Sequence, residues 1–266
     1  YSREIQTPEK GDGLDGVLRQ RSRDLHGIVN GIDVDDWDPE KDPAIENNFS
    51  ASRPAGKQAC VAALREELGL AAGKTPLIGM VTRLTDQKGL DILVEAMPAI
   101  MAMGAQFVAL GNGDERYHRM LGDLAVRYAG RMRVVLKYDD GLARRIYAGS
   151  DIFLMPSRYE PCGLGQMHAL RYGSVPVVRR TGGLADTVAP YNSRTGKGTG
   201  FLFDEYSPAA LTQSVRRAVH TFRNSAAWKI LMRNGMQADF SWKHSAQEYV
   251  KVYEKALEKK AVGSRQ

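Results

Sequence analysis

Leu77-Ile78-Gly79-Met80-Val81-Thr82-Arg83-Leu84-Thr85-Asp86-Gln87-Lys88-Gly89 is the stretch from which the fold is read. Its first residues, Leu77 to Val81, are apolar or small and carry no charge, the pattern of a short parallel strand covered by helices on both faces. A polar loop follows and closes on glycine, and from Gly89 to Met103 the apolar residues recur at helical spacing. Strand, loop and helix make one β/α unit, and the unit repeats downstream. Further candidate strands are Gln106 to Leu110, Met132 to Leu136, Ile152 to Met155, Pro176 to Val178 and Gly200 to Phe203. Candidate helices between them are Glu115 to Tyr128, Leu142 to Ala148 and Gly165 to Tyr172. Alternation of this kind implies right-handed crossovers, so the predicted fold class is α/β, a Rossmann-like parallel sheet flanked by helices.

Either side of this region the pattern changes. After the last strand come three helical segments, the final one with Tyr249, Val250, Tyr253 and Leu257 on a single stripe that needs something to pack against. The first 50 residues are turn-rich (Gly11-Asp12-Gly13, Asn30-Gly31, Asp38-Pro39, Asp42-Pro43) and read as an irregular opening segment or linker. The chain opens at Tyr1-Ser2-Arg3-Glu4, which reads as the middle of an element, and a truncated fragment is expected.

Composition bounds the function less sharply. With 43% hydrophobic and 26% charged residues, the chain is an ordinary globular sequence and not a disordered or fibrous one. The net charge of +6 comes from 37 basic residues scattered among 31 acidic ones, without the clustering a nucleic-acid surface requires. Cys60 and Cys162 are too few for a disulfide framework and the five histidines are dispersed, so neither a zinc site nor any other metal is expected. No stretch approaches the roughly twenty apolar residues of a membrane span.

Ligands of a doubly wound sheet bind beyond the carboxyl ends of its strands, which directs attention to the loops that follow them. In the Arg83 to Gly89 loop, Arg83 and Lys88 can converge on one anion, a diphosphate being the natural candidate, although two solvated surface cations would look the same. In Ser157-Arg158-Tyr159-Glu160-Pro161-Cys162-Gly163-Leu164-Gly165-Gln166, the glycines Gly163 and Gly165 permit close backbone approach to a ligand. Glu160 there can face sugar hydroxyls or a developing positive charge, or be only a helix-entry carboxylate favoured by the dipole. Cys162 reads more readily as a small packing residue than as a nucleophile, since no base accompanies it. Arg180-Thr181-Gly182-Gly183-Leu184-Ala185-Asp186 repeats the glycine logic at another strand end, and Gly111-Asn112-Gly113-Asp114 does so more weakly. Tyr138, before Asp139-Asp140, can stack on a nucleotide base or simply pack.

Taken in order, these segments resemble the C-terminal domain of bacterial glycogen synthases and plant starch synthases, which transfer glucose from ADP-glucose to a growing α-1,4-glucan. The resemblance covers nearly the whole chain. It is carried by REIQTP at Arg3 to Pro8, GLDGVL at Gly13 to Leu18, GIVNGID at Gly27 to Asp33, RLTDQKG at Arg83 to Gly89 and YAGSD at Tyr147 to Asp151. PSRYEPCGLGQ at Pro156 to Gln166, RYGSVPVVRRTGGLADTV at Arg171 to Val188 and GTGF at Gly198 to Phe201 continue it. The resemblance implies that Arg83 and Lys88 hold the donor diphosphate and neutralise the departing ADP. It implies that Glu160 faces the glucosyl unit, that Cys162, Gly163, Leu164 and Gly165 line the pocket, and that Tyr138 stacks on adenine. Thr181, Gly182 and Gly183 would close the phosphate side. Relatives with a second glutamate eight residues after the first have no match here, because His168 stands at that position and ribose recognition is left unassigned.

The family fold is GT-B, two Rossmann-like domains facing across a cleft. The resemblance therefore implies that residues 1–25 are the end of an acceptor-side domain and 26–56 a linker. Residues 57–245 would be the nucleotide-sugar domain and 246–266 a C-terminal helix and tail. The implied partners are ADP-glucose, an α-1,4-glucan and the N-terminal GT-B domain, with no cofactor, and the implied compartment is a bacterial cytoplasm or plastid stroma. A GT-B transferase using UDP-glucose and a noncatalytic nucleotide- or glucan-binding module are the alternatives.

Overall fold

The computed structural model describes residues 1–263, so the last three residues of the tail expected over 246–266 lie outside the described residues. Its elements begin α1 (Asp15–Gln20), α2 (Ala55–Glu67), β1 (Leu77–Val81), α3 (Leu90–Ala102), β2 (Gln106–Leu110) and α4 (Glu115–Arg127). They continue β3 (Met132–Val135), α5 (Asp140–Gly149), β4 (Ile152–Met155), α6 (Gly165–Arg171), β5 (Val175–Arg179) and α7 (Gly182–Thr187). β6 (Phe201–Phe203), α8 (Pro208–Phe222), α9 (Ser225–Met236) and α10 (Trp242–Gly263) complete the order.

All six strands pair in parallel, in the order β3-β2-β1-β4-β5-β6. The central strands β1, β2 and β4 are buried on both faces because each face meets its own core, whereas Arg133 of the edge strand β3 is exposed. Ile78, Met80, Phe107, Ala109, Ile152 and Leu154 point into one cluster. Leu77, Val108, Leu110 and Phe153, their neighbours in sequence, point into the other. Each fully buried Ile, Leu or Phe side chain contributes about 1.5–3 kcal/mol. Strand order reverses between β1 and β4, so the loops that leave these two strands part to opposite faces and open a crevice between them.

The chain divides into two compact units, Tyr1–Asp35 with the residues from Asp239 on, and Asp36–Ala238. Within the smaller unit the Ile32 amide donates to the Phe240 carbonyl at 2.8 Å and Ser245 Oγ to the Val29 carbonyl at 2.8 Å. In the larger unit, residues 36–56 differ from the linker expected there. Ile45 and Phe49 are core residues. Buried Asp42 accepts from the Tyr172 hydroxyl and from Arg144 Nη1 at 3.3 Å. That segment is tied down by side chains far along the chain, which is why local turn content gave no sign of it.

One connection is sterically exacting. Gly89, between the β1 loop and α3, has φ 70°, and a Cβ added there would lie 2.0 Å from the Pro156 carbonyl oxygen after β4. The two loops therefore touch backbone to backbone. Gly89→Ala is expected to destabilise the chain by more than about 2 kcal/mol in urea unfolding; a loss below about 0.5 kcal/mol, the range of indifferent surface changes, would contradict that approach.

Candidate functional site

The β1 loop is held from both sides before it presents any side chain. The Leu84 amide donates to the Asn112 carbonyl at 2.8 Å and the Asp114 amide to the Leu84 carbonyl at 2.8 Å, so the Gly111 to Asp114 turn serves as its splint. Gln87 reaches across the crevice: its carbonyl accepts from the Arg158 amide at 2.8 Å, and its Nε2 donates to the Tyr159 carbonyl at 3.4 Å. Arg83 Nη2 in turn donates to Gln87 Oε1 at 3.3 Å.

These contacts bring Lys88 and Glu160 together. Lys88 Nζ lies 2.6 Å from Glu160 Oε2, with side-chain exposures of 13% and 7%. Ser157 Oγ donates to the same oxygen at 3.0 Å. A carboxylate with two donors on one oxygen is fixed in orientation, and an ion pair this dry is worth more than a surface pair because water screens it little. Ser157 has no role in the sequence reading; the signal available was a hydroxyl three residues before the glutamate, which is weak by itself.

Behind Glu160 the chain turns sharply. The Gly183 amide donates to the Glu160 carbonyl at 3.0 Å, and a Cβ on Gly183 would meet the Cys162 carbonyl oxygen at 2.1 Å. Gly183 thus packs against the glutamate loop, and the buried Thr181 and Gly182 precede it at the start of α7. Gln166, fully buried, holds the loop from inside: its Nε2 donates to the carbonyls of Cys162 at 3.1 Å and Gly163 at 2.8 Å and to Thr187 Oγ1 at 3.0 Å. Cys162 Sγ donates to the Gly163 carbonyl at 3.5 Å and takes part in no disulfide among the described residues.

A cavity of about 360 Å³ opens beside this loop, past the ends of β1, β2 and β3. Arg83, Tyr138, Leu164 and Gly165 all line it, as do Asn112 of the weaker Gly111 to Asp114 turn and Lys137, Trp37 and His168, which the sequence reading did not assign. Tyr138 is 87% exposed, which places it at the mouth and rules out packing as its role. Its position is set by Asp139, which caps α5 by accepting from the Leu142 amide at 2.8 Å. The site residues thus fall in two groups: Arg83, Tyr138, Leu164 and Gly165 on the cavity, and Lys88, Cys162, Gly163 and the Thr181 turn around Glu160. Residues 160–165 join the groups.

The cavity's rear wall is aromatic. The Trp37 and His168 rings stack with centroids 3.8 Å apart, and the Arg144 guanidinium lies 4.1 Å from the Trp37 ring. His168 is buried and its Nδ1 has no hydrogen-bond partner. Burial chiefly, and then the Arg144 charge, push its pKa down to about 4.

A family model described as glycosyl transferases group 1 matches residues 64–229, more than half of the chain. Glycogen synthase from Geotalea daltonii is 53% identical over 261 residues, covering 98% of this chain and 54% of its own length. Glycogen synthase from Thermosipho africanus is 53% identical over 262 residues, again 98% and 54%. Among solved structures, the catalytic domain of starch synthase IV from Arabidopsis thaliana bound to ADP and acarbose superposes with a TM-score of 0.91 at 37% identity, covering 97% of this chain and 54% of that one. Sucrose-phosphate synthase from Thermosynechococcus elongatus, at 23% identity and a TM-score of 0.60, shares the fold. The chain spans about half the length of the curated relatives it matches.

The depressed His168 pKa makes stability acid-sensitive in a defined window. An unfolded histidine titrates near 6.5, so between about pH 6.5 and 4 the unfolded chain binds a proton that the folded chain refuses. The stabilisation is full above that window and is lost as the pH falls through it. Urea unfolding at about pH 7 and about pH 4 is expected to show a fall that His168→Phe reduces by about 3 kcal/mol. An identical fall in the two proteins would contradict a buried neutral imidazole.

Proposed function

The chain belongs to the glycosyl transferases of group 1, and from that premise we propose that it is the donor-binding half of a retaining glucosyltransferase, moving glucose from ADP-glucose to the non-reducing end of an α-1,4-glucan. The observation that carries the reading is the Lys88–Glu160 pair at the strand-order reversal, beside a cavity lined by Arg83 and Tyr138. The similarity to glycogen synthases, and to a starch synthase structure bound to ADP and acarbose, supports the choice of adenine donor and glucan acceptor.

In this reading Tyr138 covers adenine at the cavity mouth while Arg83 and Lys88 meet the diphosphate. As the bond between the anomeric carbon and the β-phosphate oxygen breaks, negative charge gathers on ADP and positive charge on the sugar ring. Fixed cations beside the first and a fixed carboxylate beside the second lower the barrier, because neither has to reorganise as charge develops. Lys88 also holds Glu160 in place. The acceptor hydroxyl adds on the face that ADP leaves, which preserves the anomeric configuration, and its proton passes to the departing phosphate. Gly163 and Gly165 admit the donor close to the backbone of the glutamate loop, and the Thr181 turn supports that loop from behind.

The acceptor side is proposed to come from the half of the relatives' length that this chain does not span. Tyr249, Val250, Tyr253 and Leu257 on α10 are exposed and form an apolar stripe suited to such a partner. The 266-residue chain is accordingly expected to bind nucleotide and to elongate glucan little or not at all.

Calorimetric titration tests the donor site. ADP is expected to bind saturably and more tightly than UDP, and Arg83→Ala/Lys88→Ala is expected to lose about a hundredfold in affinity, as two charge-assisted contacts require. Unchanged ADP affinity in the double variant, or tighter binding of UDP, would overturn the assignment.

A further inference from the structure

The donor cavity lies at the carboxyl ends of the strands, and a larger one, about 910 Å³, lies at the opposite end of the same sheet. Its lining includes Pro76, Gly104 and Asp151, residues just before β1, β2 and β4, with α2 on one side and the α8–α9 corner on the other. Nothing in the proposed glucosyl transfer uses it. Its volume falls within the roughly 300–1,000 Å³ of small-molecule sites.

Its wall is apolar in the middle: Val61, Met103, Val219, Phe222, Trp228 and Met232. The buried charges in that wall are committed elsewhere. Lys57 Nζ donates to the Ala148 and Tyr172 carbonyls at 3.0 and 2.8 Å and to Ser174 Oγ at 3.3 Å, which uses all three of its protons. Arg65 directs Nε, Nη1 and Nη2 to the Gln106 side chain and the Gly73 and Thr75 carbonyls. Asp151 Oδ2 accepts from the Leu77 amide at 2.9 Å. A sugar or a free nucleotide, which needs many hydrogen bonds from its site, finds few to make here.

The rim is different. Lys74, Arg223 and Lys229 are exposed, line the opening, and have no acidic partner among the described residues. Asp151, the one carboxylate in the lining, is buried. An apolar trough with three unpaired cations at its lip complements a molecule that is apolar for most of its length and anionic at one end.

We infer that this cavity is a second ligand site, specific for a small amphiphilic anion: an aliphatic or aromatic body lying against Trp228 and Phe222, with a carboxylate, sulfonate or phosphate at the Lys74, Arg223 and Lys229 rim. The inference stands apart from the donor reading because no residue is shared between the two cavities.

The test uses the 266-residue chain and 8-anilinonaphthalene-1-sulfonate, an aromatic body with one anionic group, followed by its fluorescence. One saturable site is expected, with dye displaced by decanoate and not by ADP or glucose 6-phosphate. Lys74→Glu/Arg223→Glu/Lys229→Glu, three exposed changes that leave the core intact, is expected to weaken dye and decanoate at least about tenfold, and added salt is expected to do the same in the unaltered chain. Unchanged affinity in the triple variant overturns the proposal. So does displacement by ADP, which would put the dye in the donor cavity, or by glucose 6-phosphate, which would mean a polar ligand. Loss of dye binding with rising protein concentration as dimers appear in sedimentation would assign the surface to a second copy of the chain and overturn it as well.

Discussion

The Lys88–Glu160 ion pair is where the sheet, the loops and the proposed chemistry meet. It spans the crevice between β1 and β4, the one place in the sheet where neighbouring strands send their following loops apart. Left to diverge, those loops would leave two charges facing water. They converge instead because Gly89 lets the backbone after β1 touch the Pro156 carbonyl, because Gln87 bonds both Arg158 and Tyr159, and because Ser157 shares the glutamate oxygen with lysine. Removing one member of so dry a pair strands the other, which costs about 3–5 kcal/mol where it has been measured in protein interiors. The geometry of the site is therefore paid for in folding free energy before any donor arrives.

The remainder of the larger unit supports that arrangement in layers. The Gly111 turn braces the loop after β1, and Gln166 with Gly183 braces the loop after β4. Residues 36–56 then close the rear of the cavity, Trp37 stacking on His168 while Asp42 ties the segment to Tyr172 and Arg144. An imidazole pressed against an indole beside a guanidinium stays neutral, while Arg144 itself is paired with Asp36, Asp42 and Asp140. An aromatic, rigid wall with Arg83 on the cavity lining suits an anionic ligand whose body must be oriented and whose charge must be met at one end.

Much of this was legible in the sequence where burial on two faces leaves an unbroken apolar run. Leu77–Val81 and Gln106–Leu110 fall where the pattern put them, and Arg83, Lys88, Glu160 and Tyr138 stand out as candidates because ligand loops follow strands. Where the inward face carries charge, the pattern failed. α2 buries Lys57, Cys60, Val61, Leu64 and Arg65, and its two cations are satisfied by carbonyls at Ala148, Tyr172, Gly73 and Thr75. No local rule announces such a helix. α7 is short and opens on two glycines, poor helix formers, of which Gly183 is fixed by its close approach to Cys162. Trp37 and His168 meet only in three dimensions, 131 positions apart in the chain, and neither carries a signal in its own neighbourhood.

A double-mutant cycle between Lys88→Met and Glu160→Gln, read by urea unfolding of the nucleotide-free chain, measures whether this pair holds the two loops together. Each single variant is expected to be destabilised and the double variant to recover about 1–3 kcal/mol of the summed loss. Additivity within about 0.5 kcal/mol would contradict it, since two residues that behave independently do not form the dry ion pair on which the site is built.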